Sequence, residues 1–256
     1  MILQKVFFST VLIFMVFSGI AQVEKIRDGH FVVKYDNKDE MYALGSARIL
    51  NFVWDKLDEQ GFNPPQKVKF NLKKSKKTRN RLVINTYFKK ITLEYTSLDP
   101  SIIRANFVYG LCHEMGHLCM SNMSPNRNKF TKDNREGWAD YFGISMARLL
   151  HDNYGLDIWP IPYNYLAQHA ESTNRRTPVL EKGEGNNYGF YISAIFWEKL
   201  VNEKGMDKIP FFFIQLKSSR VKHSDANQKF RAELVKFGVS DNLLVFFDKN
   251  KQHLIR

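Results

Sequence analysis

Residues 102–120 read IIRANFVYGLCHEMGHLCM, with apolar positions that recur at helical spacing. These apolar positions are Ile103, Phe107, Leu111 and Met115. The segment is therefore predicted to be a helix with one buried stripe. His113 and His117 lie four positions apart in it, so both imidazoles project from one face of the helix and can bind a single metal ion.

Glu114 completes the pattern H-E-x-x-H and lies one residue beyond the first histidine. From there its carboxylate can reach a water molecule on the ion without binding the ion itself. Zinc with an open coordination position lowers the pKa of bound water to about 7, and a neighbouring glutamate can take the proton during attack on a carbonyl. The pattern thus predicts a zinc hydrolase; the alternative is a pair of surface histidines on a solvated helix.

A candidate third ligand follows nineteen residues after His117, in the segment 134–141, NREGWADY. Glu136 opens a predicted helix, and Asp140, four residues on, faces the same way. A carboxylate ligand together with a second carboxylate that orients a ligand histidine is typical of hydrolytic zinc sites. Positions 120 and 123 are both methionine, so the metzincin arrangement, with a glycine and a third histidine there, is excluded.

The motifs HEMGH (113–117) and EGWADY (136–141) resemble those of the gluzincin zinc metallopeptidases, and most closely those of the basic secretory protein-like group. The resemblance extends from about residue 91 to residue 200. It implies a zincin-like fold and a peptide or protein substrate. It also implies zinc as the cofactor, with His113, His117 and Glu136 as ligands. Glu114 would then be the general base and acid, and Asp140 would support a ligand histidine.

The same resemblance implies a donor that stabilises the oxyanion during acyl transfer. Tyr191 is the candidate, and Tyr188 and His169 are the alternatives. Packing tyrosines at the start of a helix is an equally good interpretation of either tyrosine. The strand at 91–98, ITLEYTSL, is implied to be the sheet edge along which a peptide pairs.

Residues 1–21 have the pattern of a secretory signal peptide. Lys5 precedes an apolar run at 6–17, and small residues near Ala21 mark a cleavage point. We therefore expect a secreted or periplasmic protein. No later segment reaches the roughly 18 apolar residues that a membrane span needs. The remainder, 22–256, is predicted to be one zincin-like metallopeptidase domain.

The predicted fold class is α+β, with a small mixed β-sheet over the active-site helix and a mainly helical C-terminal half. Strands are predicted from alternating apolar residues at 31–35 and 68–72, and from strand-like sequence at 82–88 (LVINTYF) and 91–98 (ITLEYTSL). Helices are predicted at 41–60, 102–120, 136–151, 189–204, 207–218, 224–237 and 240–250.

The chain has 256 residues and a net charge of +12, from 38 basic and 26 acidic residues. This balance leaves open the hypothesis of a basic module that binds an envelope or a polyanion. A further hypothesis is an inactive zincin-fold binding protein that lacks an oxyanion donor. Nucleic acid is not expected, because the lysine-rich segment 73–90 is typical of a solvated turn. Cys112 and Cys119 lie about 10 Å apart along the helix, too far to bridge, and are predicted to be buried free thiols.

Overall fold

A computed structural model of the chain describes residues 23–75, 81–85, 89–95, 100–123, 130–155, 188–218 and 226–255. The predicted signal peptide, His169 and the ends of two predicted strands, 86–88 and 96–98, lie outside these residues. In the described part, all the strands and one helix among them precede residue 96, and helices dominate from residue 100 onward. The α+β class, the small mixed sheet and the mainly helical C-terminal half are thereby confirmed.

The strands of the sheet are β1 (Val23–Asp28), β2 (Phe31–Asp36), β3 (Val68–Lys74), β4 (Arg81–Asn85) and β5 (Lys90–Tyr95). Their order across the sheet is β1-β2-β3-β5-β4. Strands β2, β3 and β5 run parallel, whereas β1 and β4 pair antiparallel with their neighbours at the two edges. The expectation that 91–98 forms an edge is wrong for its described part, 91–95, because β4 pairs along the outer side of β5 and is the edge strand among the described residues.

The described helices are α1 (Glu40–Glu59), α2 (Pro100–Met123), α3 (Lys132–Tyr154), α4 (Tyr188–Lys204), α5 (Ile209–Ser218), α6 (Ala226–Lys236) and α7 (Asp241–Leu254). Two bounds differ clearly from those predicted. Helix α3 begins at Lys132 rather than Glu136, because the Thr131 side chain caps it by accepting a hydrogen bond of 2.9 Å from the Asn134 N–H. Helix α7 continues to Leu254. Among the described helices, none has the length and apolar character needed to cross a membrane.

One face of the sheet is buried against helices. Its buried residues alternate along the three parallel strands: Phe31, Val33 and Tyr35, then Val68, Phe70 and Leu72, then Ile91, Leu93 and Tyr95. Helix α1 contacts β1 and β2, and helix α2 contacts β4. The edge strand therefore lies beside the helix that carries the two histidines.

Helices α2 and α3 pack at close range. A Cβ atom at Gly143 would lie 3.0 Å from the His113 Cα, so glycine allows the two backbones to approach this closely. The indole N–H of Trp138 also donates a hydrogen bond of 2.9 Å to the Gly116 carbonyl across the same interface. As a result, α3 lies directly against the histidine-bearing segment of α2.

The start of α3 is held by α4 and by the C-terminal residues. Asn134 is fully buried; its amide donates a hydrogen bond of 2.8 Å to the Leu254 carbonyl, and its oxygen accepts one of 2.7 Å from the Trp197 indole. The rings of Trp138 and Trp197 lie 5.1 Å apart in the aromatic core. Because an unpaired buried amide is costly, this network fixes the turn of α3 that precedes Glu136.

Candidate metal centre

His113 and His117 lie on one face of α2, as their four-residue spacing predicts. Their ring centroids are 4.7 Å apart, and the ring planes are nearly perpendicular, at 86°. The two side chains remain 17% and 16% exposed. Both rings are thus largely packed in place and yet accessible to an ion from solvent.

Glu136 reaches this pair from the neighbouring helix α3. Its Oε2 atom lies 3.6 Å from Nε2 of His113 and 3.3 Å from Nε2 of His117. One ligand atom from each of the three residues lies within 4.8 Å of the other two, which is close enough for a shared metal ion. The structure therefore brings together the three side chains that were predicted as ligands, two from α2 and one from α3.

Asp140 lies one turn after Glu136 and contacts the other nitrogen of the first histidine. Its Oδ1 atom is 2.9 Å from Nδ1 of His113, so that Nε2 is the nitrogen available to a metal. The Tyr109 hydroxyl donates a hydrogen bond to the same Oδ1 atom. Tyr109 was not predicted from the sequence. It lies one turn before His113 on the same helix, and this spacing could have identified it as part of the site.

The charges of the site are strongly coupled to one another. Burial lowers the pKa of His113, but hydrogen bonds with Asp140 and Glu136 outweigh burial and raise this pKa well above its ordinary value. Burial raises the pKa of Glu136, and the hydrogen bonds from His113 and His117 reverse this effect and hold it well below its ordinary value. A protonated imidazole thus faces an ionised carboxylate, and a divalent cation between the same groups would compete with that proton.

Glu114 follows the first ligand histidine and is only 8% exposed. Burial raises the pKa of its carboxyl group, while the nearby charges of His113 and His117 act in the opposite direction. A carboxyl group with a pKa raised toward neutrality is suited to accept a proton and later to donate it. The burial of Glu114 is therefore compatible with its predicted role as general base and acid.

The structure describes two of the three candidate oxyanion donors, both in α4. Tyr191 lies in the first turn of α4 and is half-buried, and Tyr188 begins the same helix. His169 lies outside the described residues. Helix α4 packs closely on α3, since a Cβ atom at Gly137 would lie 2.7 Å from the Phe190 carbonyl oxygen. The role of Tyr191 in stabilising an oxyanion stays a prediction.

Cys112 and Cys119 are buried free thiols, as predicted. Burial raises the pKa of both thiols, which disfavours the thiolate form that binds metals. Within the described part of the chain, neither sulfur belongs to the group of side chains that can share an ion. Both cysteines pack as small apolar residues.

A separate cavity of about 370 Å³ has α1, α3 and α4 among its walls. The residues Tyr141, Ser145 and Arg148 of α3 line it, on a different face of that helix from Glu136 and Asp140. Burial raises the pKa of Tyr141 to about 12, so its hydroxyl stays protonated near neutral pH. This cavity is distinct from the candidate metal centre.

A scan against protein-family models and a search of curated proteins each found no match to the chain. The residues of the metal centre and their geometry are therefore the basis for a functional proposal.

Proposed function

We propose that the protein is an exported zinc metallopeptidase of the gluzincin type, with a zincin-like fold. The observation that carries this proposal is the approach of Glu136 to His113 and His117 on the neighbouring helix. Two imidazoles and one carboxylate form the donor set of many hydrolytic zinc sites, which keep one coordination position open. The contact of Asp140 with Nδ1 of His113 supports the same class of site.

The identity of the metal is inferred from the ligand atoms. In a tetrahedral zinc site with bonds of about 2.0–2.1 Å, two ligand atoms lie roughly 3.3–3.4 Å apart. The two distances from the Glu136 oxygen to the imidazole nitrogens, 3.6 and 3.3 Å, are close to this separation. Magnesium and calcium prefer oxygen ligands, so the pair of imidazoles favours zinc over either of them.

When bound, zinc would supply a Lewis acid that acidifies a water molecule and polarises a carbonyl oxygen. Glu114 is the proposed base that takes the proton from this water, because it follows His113 on α2 and is shielded from solvent. It then gives the proton to the amine that leaves as the peptide bond breaks, so that one carboxylate serves as base and acid in turn. Asp140 keeps the His113 ring oriented through Nδ1.

An extended peptide is the proposed substrate, and β4 is its proposed docking edge. In the described part of the chain, β4 pairs with β5 on one side and has no strand on the other. The open side of such a strand offers backbone N–H and C=O groups to which a peptide can add. Because β4 contacts α2, a peptide bound there would run beside the metal-site helix.

Tyr191 is the proposed donor to the oxyanion, with Tyr188 and His169 as alternatives. Support for Tyr191 comes from its helix, since α4 packs directly on the ligand-bearing α3. Export is proposed from the signal-like segment 1–21 alone. Mass spectrometry of the exported protein should find Gln22 as its first residue, and a retained segment 1–21 would contradict cleavage.

The test compares zinc content and peptide-library cleavage in the wild-type protein, Glu114→Gln and the control Glu59→Gln. Glu59 has a 55% exposed side chain that pairs with Lys56 on α1. We expect one zinc ion per chain in all three proteins. The Glu114→Gln protein should lose about 10²–10⁴-fold in kcat, whereas the control should cleave normally. Normal cleavage by Glu114→Gln would disprove the role of Glu114, and zinc binding without cleavage of any peptide by the wild type would indicate an inactive binding protein.

A further inference from the structure

The outward face of the sheet carries five basic residues that the metal centre does not use. Residues 31, 33 and 35 of β2 are buried, so Lys34 points away from the helices, and the strand register places the other four on the same side. We call this set the basic sheet face: Lys25, Arg27, Lys34, Lys69 and Lys90. Four of the five are exposed and Lys90 is half-buried. No other described element has extensive contacts with this sheet beyond α1 and α2, which pack on its buried side and beside β4.

Like charges lie next to each other on this face. Lys25 is directly opposite Lys34 in the antiparallel pair β1–β2, and Lys69 is aligned with Lys90 in the parallel pair β3–β5. Such neighbours repel each other and lower the stability of a sheet. The arrangement therefore has an electrostatic cost that an anionic partner would remove.

The described acids of the outward face, Asp36 and Glu94, pair with lysines outside this set, Lys38 at 3.8 Å and Lys73 at 2.7 Å. Within the described part of the chain, none of the five forms an ion pair. Further along the same face, beyond the aligned pair Asn71 and Thr92, a lysine does have an acidic partner, since Lys73 pairs with Glu94. The five positive charges of the basic sheet face are thus not neutralised by ion pairs, unlike the charge of Lys73.

Three of the cations follow one line across the strands. The register aligns Arg27 with Val32, Val32 with Lys69, and Lys69 with Lys90. With strands about 4.8 Å apart, this line spans roughly 14 Å. Cations placed along such a line can pair with successive anionic groups of a linear chain.

The types of side chain on the basic sheet face disfavour two classes of anionic partner, nucleic acids and lipid bilayers. The described outward positions of β1, β2, β3 and β5 hold no aromatic residue on which a nucleic-acid base could stack. The apolar residues at these positions are Val23 and Val32, and two valines offer too little apolar surface to enter a bilayer. We propose that the basic sheet face binds a linear anionic polysaccharide, through its carboxylate or sulfate groups. This inference is independent of the metal centre and of any peptidase activity.

The test uses heparin and polygalacturonate as probes, with single-stranded DNA and phosphatidylglycerol vesicles for comparison. The face variant combines Lys25→Gln, Lys34→Gln, Lys69→Gln and Lys90→Gln. The matched control combines Lys199→Gln, Lys208→Gln, Lys249→Gln and Lys251→Gln, which removes the same charge from exposed positions in α4 and α7 and just before α5. Binding is measured by calorimetry at several salt concentrations, and folding by thermal melting.

We expect both polysaccharides to bind the wild-type protein, with an affinity that falls as salt rises, because binding releases counterions. The face variant should lose at least about tenfold in affinity, the order expected when several ionic contacts are removed, while the control keeps most of it. The face variant should melt no lower than the wild type, because two repulsive pairs are gone. An equal loss in the control, no polysaccharide binding, or tighter and equally face-dependent binding of DNA or vesicles would each overturn the proposal.

Discussion

Replacing Asp140 by alanine removes the group that orients the first ligand histidine. The Oδ1 atom of Asp140 lies 2.9 Å from Nδ1 of His113, and the Asp140 side chain is only 14% exposed. Without it, the ring loses the acceptor that directs Nε2 toward the metal position, and the Tyr109 hydroxyl loses its hydrogen bond to Oδ1. Removal of such a supporting carboxylate typically weakens metal binding 10–100-fold, or about 1.4–2.7 kcal/mol.

A matched control lies two turns earlier on the same helix. Asp133 contacts Nδ1 of His253 at 3.0 Å, so it makes a similar carboxylate–histidine pair that does not involve the metal centre. We expect Asp133→Ala to leave zinc affinity within about twofold of the wild type, whereas Asp140→Ala should show the full loss. The assay is competition for zinc with a chromophoric chelator at fixed pH. Unchanged affinity in Asp140→Ala, or an equal loss in both variants, would refute the orienting role.

Two further predictions concern packing and pH. Gly137→Ala should destabilise the protein by about 1–3 kcal/mol in chemical denaturation, because its Cβ would lie 2.6 Å from the Ala194 backbone nitrogen. The control Gly45→Ala, which has nothing within 4 Å of its Cβ, should be neutral or stabilising, and equal effects would contradict the tight α3–α4 contact. Zinc affinity should still rise about tenfold per pH unit between pH 7 and 8, since the raised pKa of His113 means that zinc must displace a proton there. If zinc affinity stops rising above pH 7, as it would with a histidine of ordinary pKa, then zinc does not displace a proton from His113.

Periodicity along the chain was enough to predict most helices, and the three candidate ligand side chains were predicted from the motifs HEMGH and EGWADY and their resemblance to gluzincins. His113 and His117 are neighbours on one helix, so their geometry follows from spacing alone. The contact with Glu136 depends on how two helices pack. In the sequence, only the carboxylates at 136 and 140 indicated that a third ligand could come from this segment. The close approach at Gly143 explains that contact, but it is visible only once both helices are placed.

Features that depend on pairing between distant segments were not predicted. Strand β1 was missed because it is an edge strand with no fully buried residue, so it lacks the alternation that marks β2 and β3. The order β5-β4 at the other edge cannot be read from residue patterns, since both strands are rich in apolar residues. Tyr109 was missed for a related reason, because its partner Asp140 lies on another helix.

The most direct test of the metal centre is anomalous diffraction at the zinc edge from crystals of the protein grown with zinc. We expect one strong peak, bonded at about 2.0–2.2 Å to Nε2 of His113, Nε2 of His117 and a carboxylate oxygen of Glu136. The same measurement on Glu136→Ala should show the peak weakened or lost. A zinc ion bound by other groups, or a Glu136 side chain turned into solvent while zinc is bound, would contradict the proposed three-residue site.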